Sequence, residues 1–405
     1  MRIAFLSPGT QSHFALLQAR ELAIGLSRRA DVDSVVLAAP GLLEVGVDTV
    51  KALGEAGICC RDLRYRIVTR DDAEAVVELA GDKFKVCEDS YCIAMDGASD
   101  FLDCDLWVQL SPVTPAPLLP LRPLGILLPD CAVRYVPETI VTAARQHFDH
   151  VALRNLRNAR AVFVPCPSIG DDARSFYGLR RNKIRVLSST LRPSADALSP
   201  SDCRRPRASQ RPYFVWDANG MPVGNCNRVV AILRQYWRSN GPLDCVVLRQ
   251  VPVDSEWDLL TEVRESTNGI LDLVGEQNLL RRIRLFEVHR EAAVLDLIRG
   301  AEFLLHANLA GAPPMNVMRA LAVGTPVDCT RYAAAVWAVG GAPVRWLDPY
   351  DKSCLREAIE SHTPSKAVGP RPPHPTPELP ERHWPELESD LDELLNSLLQ
   401  GAVHA

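Results

Sequence analysis

The sequence predicts an α/β protein with two Rossmann-like domains in tandem, each built on a doubly wound parallel sheet. Two observations lead to this prediction: short apolar strands alternate with amphipathic helices, and the alternation occurs twice along the chain. A stretch rich in proline, serine and arginine, 192–212, separates the two sets. The 405 residues are enough for two domains. We therefore predict an N-terminal domain at 1–191, a linker at 192–212 and a C-terminal domain at 213–364.

The first set of alternating segments predicts a parallel sheet covered by helices in the N-terminal domain. The strands are expected at 3–7, 35–39, 106–110, 124–128 and 161–164, and the helices at 12–27, 49–56, 71–79 and 137–157. Proline follows closely after two of these strands, at 106–110 and 124–128, and it limits their length.

The second set predicts the same architecture for the C-terminal domain. The strands are expected at 213–216, 245–248, 283–286 and 303–305, and the helices at 227–237, 257–266, 291–300 and 315–324. The proline-rich stretch 365–385 is typical of an irregular connection. Within 386–405, five leucines recur on one face of an acidic helix at 386–399. We expect this face to pack on the N-terminal domain or at the domain junction, because such a stripe is unfavourable in water.

Composition excludes several classes of protein. The formal net charge of −5 and the pI near 6.0 argue against nucleic-acid binding. No apolar run approaches the roughly 20 residues of a membrane span. The twelve cysteines form no CxxC pair and no Cys/His zinc spacing, so we expect buried, reduced thiols, no metal site and a cytoplasmic location. The basic cluster at 180–185 is either a solvated face or a peripheral contact with the inner face of a membrane.

The segment 303–324 predicts an anion site. An apolar strand leads into a loop of small residues at 307–314, and a helix follows from Met315. The first amides of a helix have no intrahelical acceptor, and its N-terminal end is positive. Such a strand–loop–helix is suited to bind a phosphate. No GxGxxG pattern occurs, which argues against an NAD-dependent dehydrogenase on the same kind of sheet.

Three further segments contain sequence motifs. Residues 129–138 read Pro-Asp-Cys-Ala-Val-Arg-Tyr-Val-Pro-Glu, residues 159–168 read Ala-Arg-Ala-Val-Phe-Val-Pro-Cys-Pro-Ser, and residues 177–186 read Tyr-Gly-Leu-Arg-Arg-Asn-Lys-Ile-Arg-Val. Together with 303–324, these motifs resemble those of the retaining GT-B glycosyltransferases of the large group 1 (GT4-like) family. The resemblance covers most of the chain, and it implies two Rossmann-like domains that face one cleft.

The chain departs from this family at the residues that carry charge. The histidine of the family's His-Asp pair is Pro129, although Asp130 matches. The lysine that holds the donor diphosphate is Gly224. The two glutamates eight residues apart are Gly311 and Arg319. The family's glycine-rich loop after the first strand is reduced to a single glycine, Gly9.

The resemblance implies transfer of a sugar from a nucleotide-diphospho-sugar to a hydroxyl acceptor, which is a glycan or a lipid-linked molecule. In this family the reaction uses no metal and no cofactor. The alternative is a catalytically inert GT-B-like scaffold or a partner subunit of a glycosylation complex, because the family's lysine and both glutamates are replaced. A protein partner is expected in that case.

The resemblance and the loop positions also indicate candidate site residues. Asp130 and His13 are the catalytic candidates on the acceptor side. The candidates for donor binding are Gly9, Asn225, His289, His306, Asn308, Met315, Asn316, Val317 and Arg319. Arg319 lies near the start of the helix from Met315, where its guanidinium could replace the missing lysine at a phosphate. The competing interpretation of Arg319 is a solvated or structural arginine in a decayed site.

Overall fold

The computed structural model describes residues 1–8, 13–41, 53–81, 83–136, 142–188, 211–218, 222–249, 281–287, 291–362 and 386–399. The predicted linker (apart from 211–212), the helix at 257–266 and the proline-rich connection lie outside these residues. The domain boundaries at these segments therefore stay predictions.

The N-terminal half contains a seven-stranded sheet in which every neighbouring pair of strands is parallel. Its strands are β1 (Arg2–Leu6), β2 (Ser34–Ala39), β3 (Ile58–Asp62), β6 (Leu106–Gln109), β7 (Leu124–Leu127), β8 (Ala161–Val164) and β9 (Ile184–Val186). The spatial order is β3-β2-β1-β6-β7-β8-β9. The order reverses between β1 and β6, so the first sheet is doubly wound.

A separate antiparallel hairpin stands beside this sheet. It pairs β4 (Arg64–Thr69) with β5 (Ser90–Met95). These two strands, and also β3 and β9, were not predicted from the sequence. The reason is visible in β4, where four of six residues are exposed and the sequence therefore lacks an apolar run.

Helices cover both faces of the first sheet. They are α1 (His13–Ser27), α2 (Arg70–Leu79), α3 (Ala132–Tyr135), α4 (Thr142–Asn158) and α5 (Pro167–Tyr177). The helix predicted at 137–157 is thus described from Thr142 onwards. Gly178 ends α5 in the left-handed conformation, with φ of 64°, which glycine adopts without strain.

The C-terminal half contains a six-stranded parallel sheet, in the order β12-β11-β10-β13-β14-β15. The strands are β10 (Tyr213–Ala218), β11 (Asp244–Arg249), β12 (Ile283–Glu287), β13 (Leu304–His306), β14 (Val327–Thr330) and β15 (Arg345–Leu347). The helices are α6 (Cys226–Arg238), α7 (Glu291–Arg299), α8 (Met315–Ala322), α9 (Ala333–Val339) and α10 (Lys352–Ser361). Here the order reverses between β10 and β13. Two separate doubly wound sheets confirm the predicted fold class.

The last helix, α11 (Leu387–Leu399), packs on the N-terminal sheet, as the leucine stripe predicted. Its buried leucines share one core with residues of β1, β2, β6 and β8, and they are Leu391, Leu394, Leu395 and Leu398. Two arginines of the N-terminal half pair with its acidic face. Arg29 Nη1 lies 2.8 Å from Asp392, and Arg185 Nε lies 2.5 Å from Glu393. The end of the described chain therefore returns to its first domain.

The two halves meet where their strands end. Val136, which follows α3, forms a buried apolar cluster with Val223 and Ala310 of the C-terminal half. Ala334 of α9 is buried in the core of the N-terminal half. These contacts bring the carboxyl edge of the second sheet against the segment that follows β7.

Other expectations from composition concern membranes and thiols. Among the described residues, no helix is long and apolar enough to cross a bilayer. Seven of the described cysteines are buried. Burial raises the pKa of the Cys92 thiol, for example, to about 11. Cys59 and Cys87 are exposed instead.

Candidate functional site

The candidate site lies at the switch point of the second sheet, where β10 and β13 are neighbours. The loop 307–314 leads from β13 into α8. Pro314 is the N-cap of α8, and no side chain caps the helix. The amides of Met315, Asn316 and Val317 therefore have no acceptor within the helix. This geometry is suited to bind an anion.

Backbone and side-chain hydrogen bonds anchor the loop 307–314 at three points. Leu309 N–H donates to Val223 O at 2.7 Å. The hydroxyl of Thr330, at the end of β14, donates to the carbonyl oxygen of Asn308 at 2.5 Å. The Tyr332 hydroxyl donates to Ala312 O at 3.1 Å. The loop is thereby held against both β14 and the turn at 222–224.

Gly311 occupies the position at which the resemblance places a glutamate. Its φ is 147°, a backbone conformation that residues with a side chain rarely adopt. A glutamate at this position would strain the loop, although space for a Cβ is present. The observed conformation of the loop therefore favours glycine here.

Asp217 is the charged centre beneath this loop. It is the second-last residue of β10, only 5% exposed, and both of its carboxylate oxygens accept hydrogen bonds. Oδ2 lies 2.9 Å from His306 Nδ1, and Oδ1 accepts from Asn316 Nδ2 at 2.9 Å. Burial alone would raise the pKa of Asp217. The bonds from His306 and Asn316 and the charge of Arg319 outweigh burial and lower this pKa.

Arg319 faces the same buried network. Arg319 is only 3% exposed, and its Nη1 donates to Asn316 Oδ1 at 3.0 Å. Its positive charge offsets the carboxylate of Asp217. These contacts account for an arginine at a buried position, because a buried charge needs an opposite charge and hydrogen bonds. A contact between Arg319 and a phosphate stays a prediction.

Tyr332 links this network to the loop. Its hydroxyl lies 3.0 Å from His306 Nε2, and it also donates to Ala312 O. Burial, with the nearby carboxylate of Asp217, raises the pKa of Tyr332 well above its usual value, so the phenol stays protonated.

Asn308 offers a hydrogen-bond acceptor to a ligand. The residue is 8% exposed, and its buried Oδ1 has no partner in the described part of the chain. A buried acceptor without a donor is unfavourable by about 1–3 kcal/mol, so such groups in native proteins call for an explanation. A hydroxyl group of a ligand would satisfy it.

Asn225 has a structural explanation. It adopts a left-handed conformation with φ of 57° before α6. Its Nδ2 donates to Pro349 O at 2.9 Å, and its Oδ1 accepts from Arg228 Nη1 at 2.7 Å. Both side-chain polar atoms are thus engaged in joining the turn at 222–224 to the loop after β15. Donor binding by Asn225 stays a prediction.

Asp130 approaches the loop from the other half of the protein. It follows β7, and its Oδ1 accepts from Ala132 N–H at 2.9 Å. Burial raises the pKa of Asp130, while hydrogen bonds from the amides of Ala132 and Ala312 oppose the rise. The catalytic candidate of the N-terminal half and the anion loop of the C-terminal half are therefore neighbours.

The remaining candidates are only partly brought together. His306, Asn308 and Asn316 lie around Asp217 and the loop. Val317 is fully buried in the core, so only its backbone can serve a ligand. His13 begins α1. Gly9 and His289 lie outside the described residues.

Sequence reasoning missed Asp217 and Tyr332. A signal existed for Asp217, because an acidic residue near the carboxyl end of an otherwise apolar strand is unusual. For Tyr332 the sequence held no comparable signal. Within the described ranges, no group of three or more His, Cys, Asp and Glu is placed to hold a metal ion.

Solved structures with the same fold match along most or all of the chain. A glycosyltransferase from Rickettsia africae is 11% identical with a TM-score of 0.57, and the match covers 100% of this chain and 99% of that chain. Sucrose-phosphate synthase from Thermosynechococcus elongatus is 15% identical with a TM-score of 0.56, and 89% of each chain is covered. A UDP-GlcNAc 2-epimerase from Neisseria meningitidis, solved with UDP-GlcNAc, is 12% identical with a TM-score of 0.54, with 99% and 100% covered.

These likenesses show the GT-B fold, which confirms the architecture inferred from the sequence motifs. They do not show the reaction, because transferases and an epimerase share the fold at similar distance. No family model matches the chain, and no curated protein matches it. Membership of the GT4-like group stays a prediction.

Proposed function

We propose that this protein is a glycosyltransferase that moves a sugar from a nucleotide-diphospho-sugar to a hydroxyl acceptor. The observation that carries the proposal is the uncapped start of α8 at the switch point of the second sheet of a GT-B fold. The amides of Met315 to Val317 would hold the diphosphate there. The transfer would use neither a metal nor a cofactor.

The chemistry required of the donor side is stabilisation of the negative charge on the leaving diphosphate. Asp217 would repel that charge if it were not offset. Its two oxygens are occupied by His306 and Asn316, and the charge of Arg319 lies close by. The network beneath the loop therefore carries little net charge, and the amides at the start of α8 supply most of the attraction for the diphosphate. The free acceptor oxygen of Asn308 would take a hydroxyl of the donor.

The acceptor side would be formed by the N-terminal half. Asp130 lies beside Ala312, and its raised pKa suits a group that takes a proton from an acceptor hydroxyl. His13 and Gly9, near the start of α1, would line the same side, and His289 would border the base of the nucleotide. We infer a glycan or lipid-linked acceptor, with the basic cluster 180–185 as a peripheral contact with a membrane.

The second candidate function is an inert scaffold or a partner subunit. One observation favours it: Arg319 is buried, and its observed hydrogen bond goes to Asn316. The role of Arg319 in the buried network accounts for this arginine without any contact with a phosphate. The two functions differ in whether the protein binds a nucleotide diphosphate.

Calorimetric titration with UDP, GDP and ADP separates these functions. If Arg319 holds a phosphate, Arg319→Ala should weaken nucleotide binding by about 1.5–3 kcal/mol, the usual contribution of a charge-assisted hydrogen bond. Arg299→Ala is the matched control, because Arg299 lies at the end of α7 and pairs with Asp296. It should leave nucleotide affinity unchanged.

Arg319→Glu restores the residue that the resemblance implies, and it completes the comparison. Equal affinity in the wild type and both Arg319 variants would remove Arg319 from the phosphate site. Binding by Arg319→Glu alone would indicate a decayed transferase site and favour the scaffold. Absence of binding in every variant would contradict the proposed transferase.

A further inference from the structure

Three side chains form a continuous hydrogen-bonded chain from the second sheet to the anion loop. Asp217 Oδ2 lies 2.9 Å from His306 Nδ1, and His306 Nε2 lies 3.0 Å from the Tyr332 hydroxyl. The same hydroxyl lies 3.1 Å from Ala312 O. Asp217 is the second-last residue of β10, His306 ends β13 and Tyr332 precedes α9. Three elements of the domain therefore converge on one carbonyl of the loop.

The donors and acceptors available on these side chains determine which atom donates in each of the three hydrogen bonds. Asp217 is ionised and can only accept, so His306 Nδ1 carries a hydrogen. Tyr332 donates its single hydroxyl hydrogen to Ala312 O, so the hydrogen in the contact between His306 and Tyr332 comes from His306 Nε2. Asp217 fixes the ring of His306, and His306 fixes the position of the Tyr332 oxygen. The hydroxyl is thereby held against Ala312.

Ala312 lies between Gly311 and the prolines Pro313 and Pro314. Gly311, immediately before it, has the widest conformational freedom of any residue. The carbonyl of Ala312 belongs to the peptide bond with Pro313, which has no N–H to anchor the chain. The anchors at Asn308 and Leu309 hold only the first half of the loop. The second half, next to the helix start, is held at Ala312, whose N–H donates to Asp130 and whose carbonyl accepts from Tyr332.

We propose that Tyr332, supported by His306 and Asp217, is a positioning residue that holds the second half of the loop 307–314 in the shape that receives the diphosphate of a nucleotide. This inference rests on the proposed function for its ligand. The three side chains Asp217, His306 and Tyr332, called the relay below, do not touch the ligand themselves. They set where the Ala312 backbone and the start of α8 lie relative to the phosphate.

The first test compares two tyrosine-to-phenylalanine variants. Tyr332→Phe should weaken UDP binding roughly threefold to tenfold, because it removes one hydrogen bond and keeps the ring. Tyr213→Phe is the matched control, since the Tyr213 hydroxyl also donates to a backbone carbonyl, Leu297 O, at 2.9 Å. It lies at the opposite end of β10 and should leave UDP affinity unchanged. Equal UDP affinity in Tyr332→Phe and wild type would overturn the inference.

Two histidine variants distinguish positioning from simple stabilisation. His306→Asn places an amide near the position of Nδ1 and keeps the bond to Asp217. His306→Gln places an amide near Nε2 and keeps the contact with Tyr332. If the relay positions the loop, His306→Gln should bind UDP more tightly than His306→Asn, while urea unfolding should rank their stabilities in the opposite order. The same order in both measurements would mean that the network is only structural.

Hydrogen exchange of the loop tests the relay without any ligand. In Tyr332→Phe, the amides of residues 308–312 should exchange at least several-fold faster than in wild type, while Tyr213→Phe should leave them unchanged. Absence of binding of UDP, GDP and ADP by the wild type would overturn the proposed function, and the exchange rates would then decide the positioning role alone. Unchanged exchange in Tyr332→Phe would overturn the relay.

Discussion

Replacing Asp217 by alanine should lower the free energy of unfolding by about 3–5 kcal/mol, the usual cost of removing one partner from a buried charged network. The carboxylate accepts from His306 and Asn316, and its charge offsets that of Arg319. The variant leaves two buried donors without this acceptor and one buried positive charge without this counter-charge. Urea unfolding followed by circular dichroism measures the effect.

An exposed aspartate paired with an arginine supplies the control. Asp31 lies 2.9 Å from Arg29, but its side chain is 55% exposed. Asp31→Ala should therefore cost far less than Asp217→Ala, because solvent screens an exposed pair. A double variant, Asp217→Ala with Arg319→Met, should cost less than the sum of the two single variants, because it removes both charges together. If Asp217→Ala costs no more than Asp31→Ala, the network does not hold the carboxylate as described.

Leu398→Ala should cost about 2–5 kcal/mol, the range for truncating a buried leucine to alanine. Leu398 is fully buried between α11 and the N-terminal sheet, and its Cδ2 would lie 3.1 Å from a Cβ added at Gly125 of β7. The loss combines the hydrophobic transfer of three carbons with the cavity left against β7 and β8. Thermal and urea unfolding of the full chain measure it.

The adjacent residue is a matched control for this substitution. Leu399 is 46% exposed at the end of the same helix, so Leu399→Ala makes the same chemical change without opening a core. Its effect should stay within about 0.5 kcal/mol. Similar costs for the two variants would show that α11 does not contribute its leucine face to the core of the N-terminal half.

Most of the fold was predictable, because its signals are local. The strand at Ala161–Val164 was predicted with the observed bounds, and the strand Tyr213–Ala218 with the observed start, since each is a buried apolar run. The hairpin β4–β5 was missed for the opposite reason: its strand at Arg64–Thr69 is mostly exposed and polar. Antiparallel pairing with β5 stabilises β4. That pairing does not show as an alternation of apolar and polar residues in the sequence of β4 alone.

The site was predictable only in part. The loop and the helix start were correct, because small residues followed by an apolar helix pattern are visible in the sequence. The surroundings of Arg319 were not, because a side chain on α8 can face a phosphate or the sheet below it. The structure places Arg319 towards Asn316 and Asp217.

By itself, the sequence determined that this chain forms two doubly wound α/β domains. Periodicity and residue identity suffice for this statement, because both depend on neighbours along the chain. Tertiary structure decided that Asp217 and His306, 89 residues apart, meet in one buried network with Tyr332. The reason is that β10 and β13 become neighbours only when the sheet reverses its strand order, and a contact of that kind depends on pairing between distant segments.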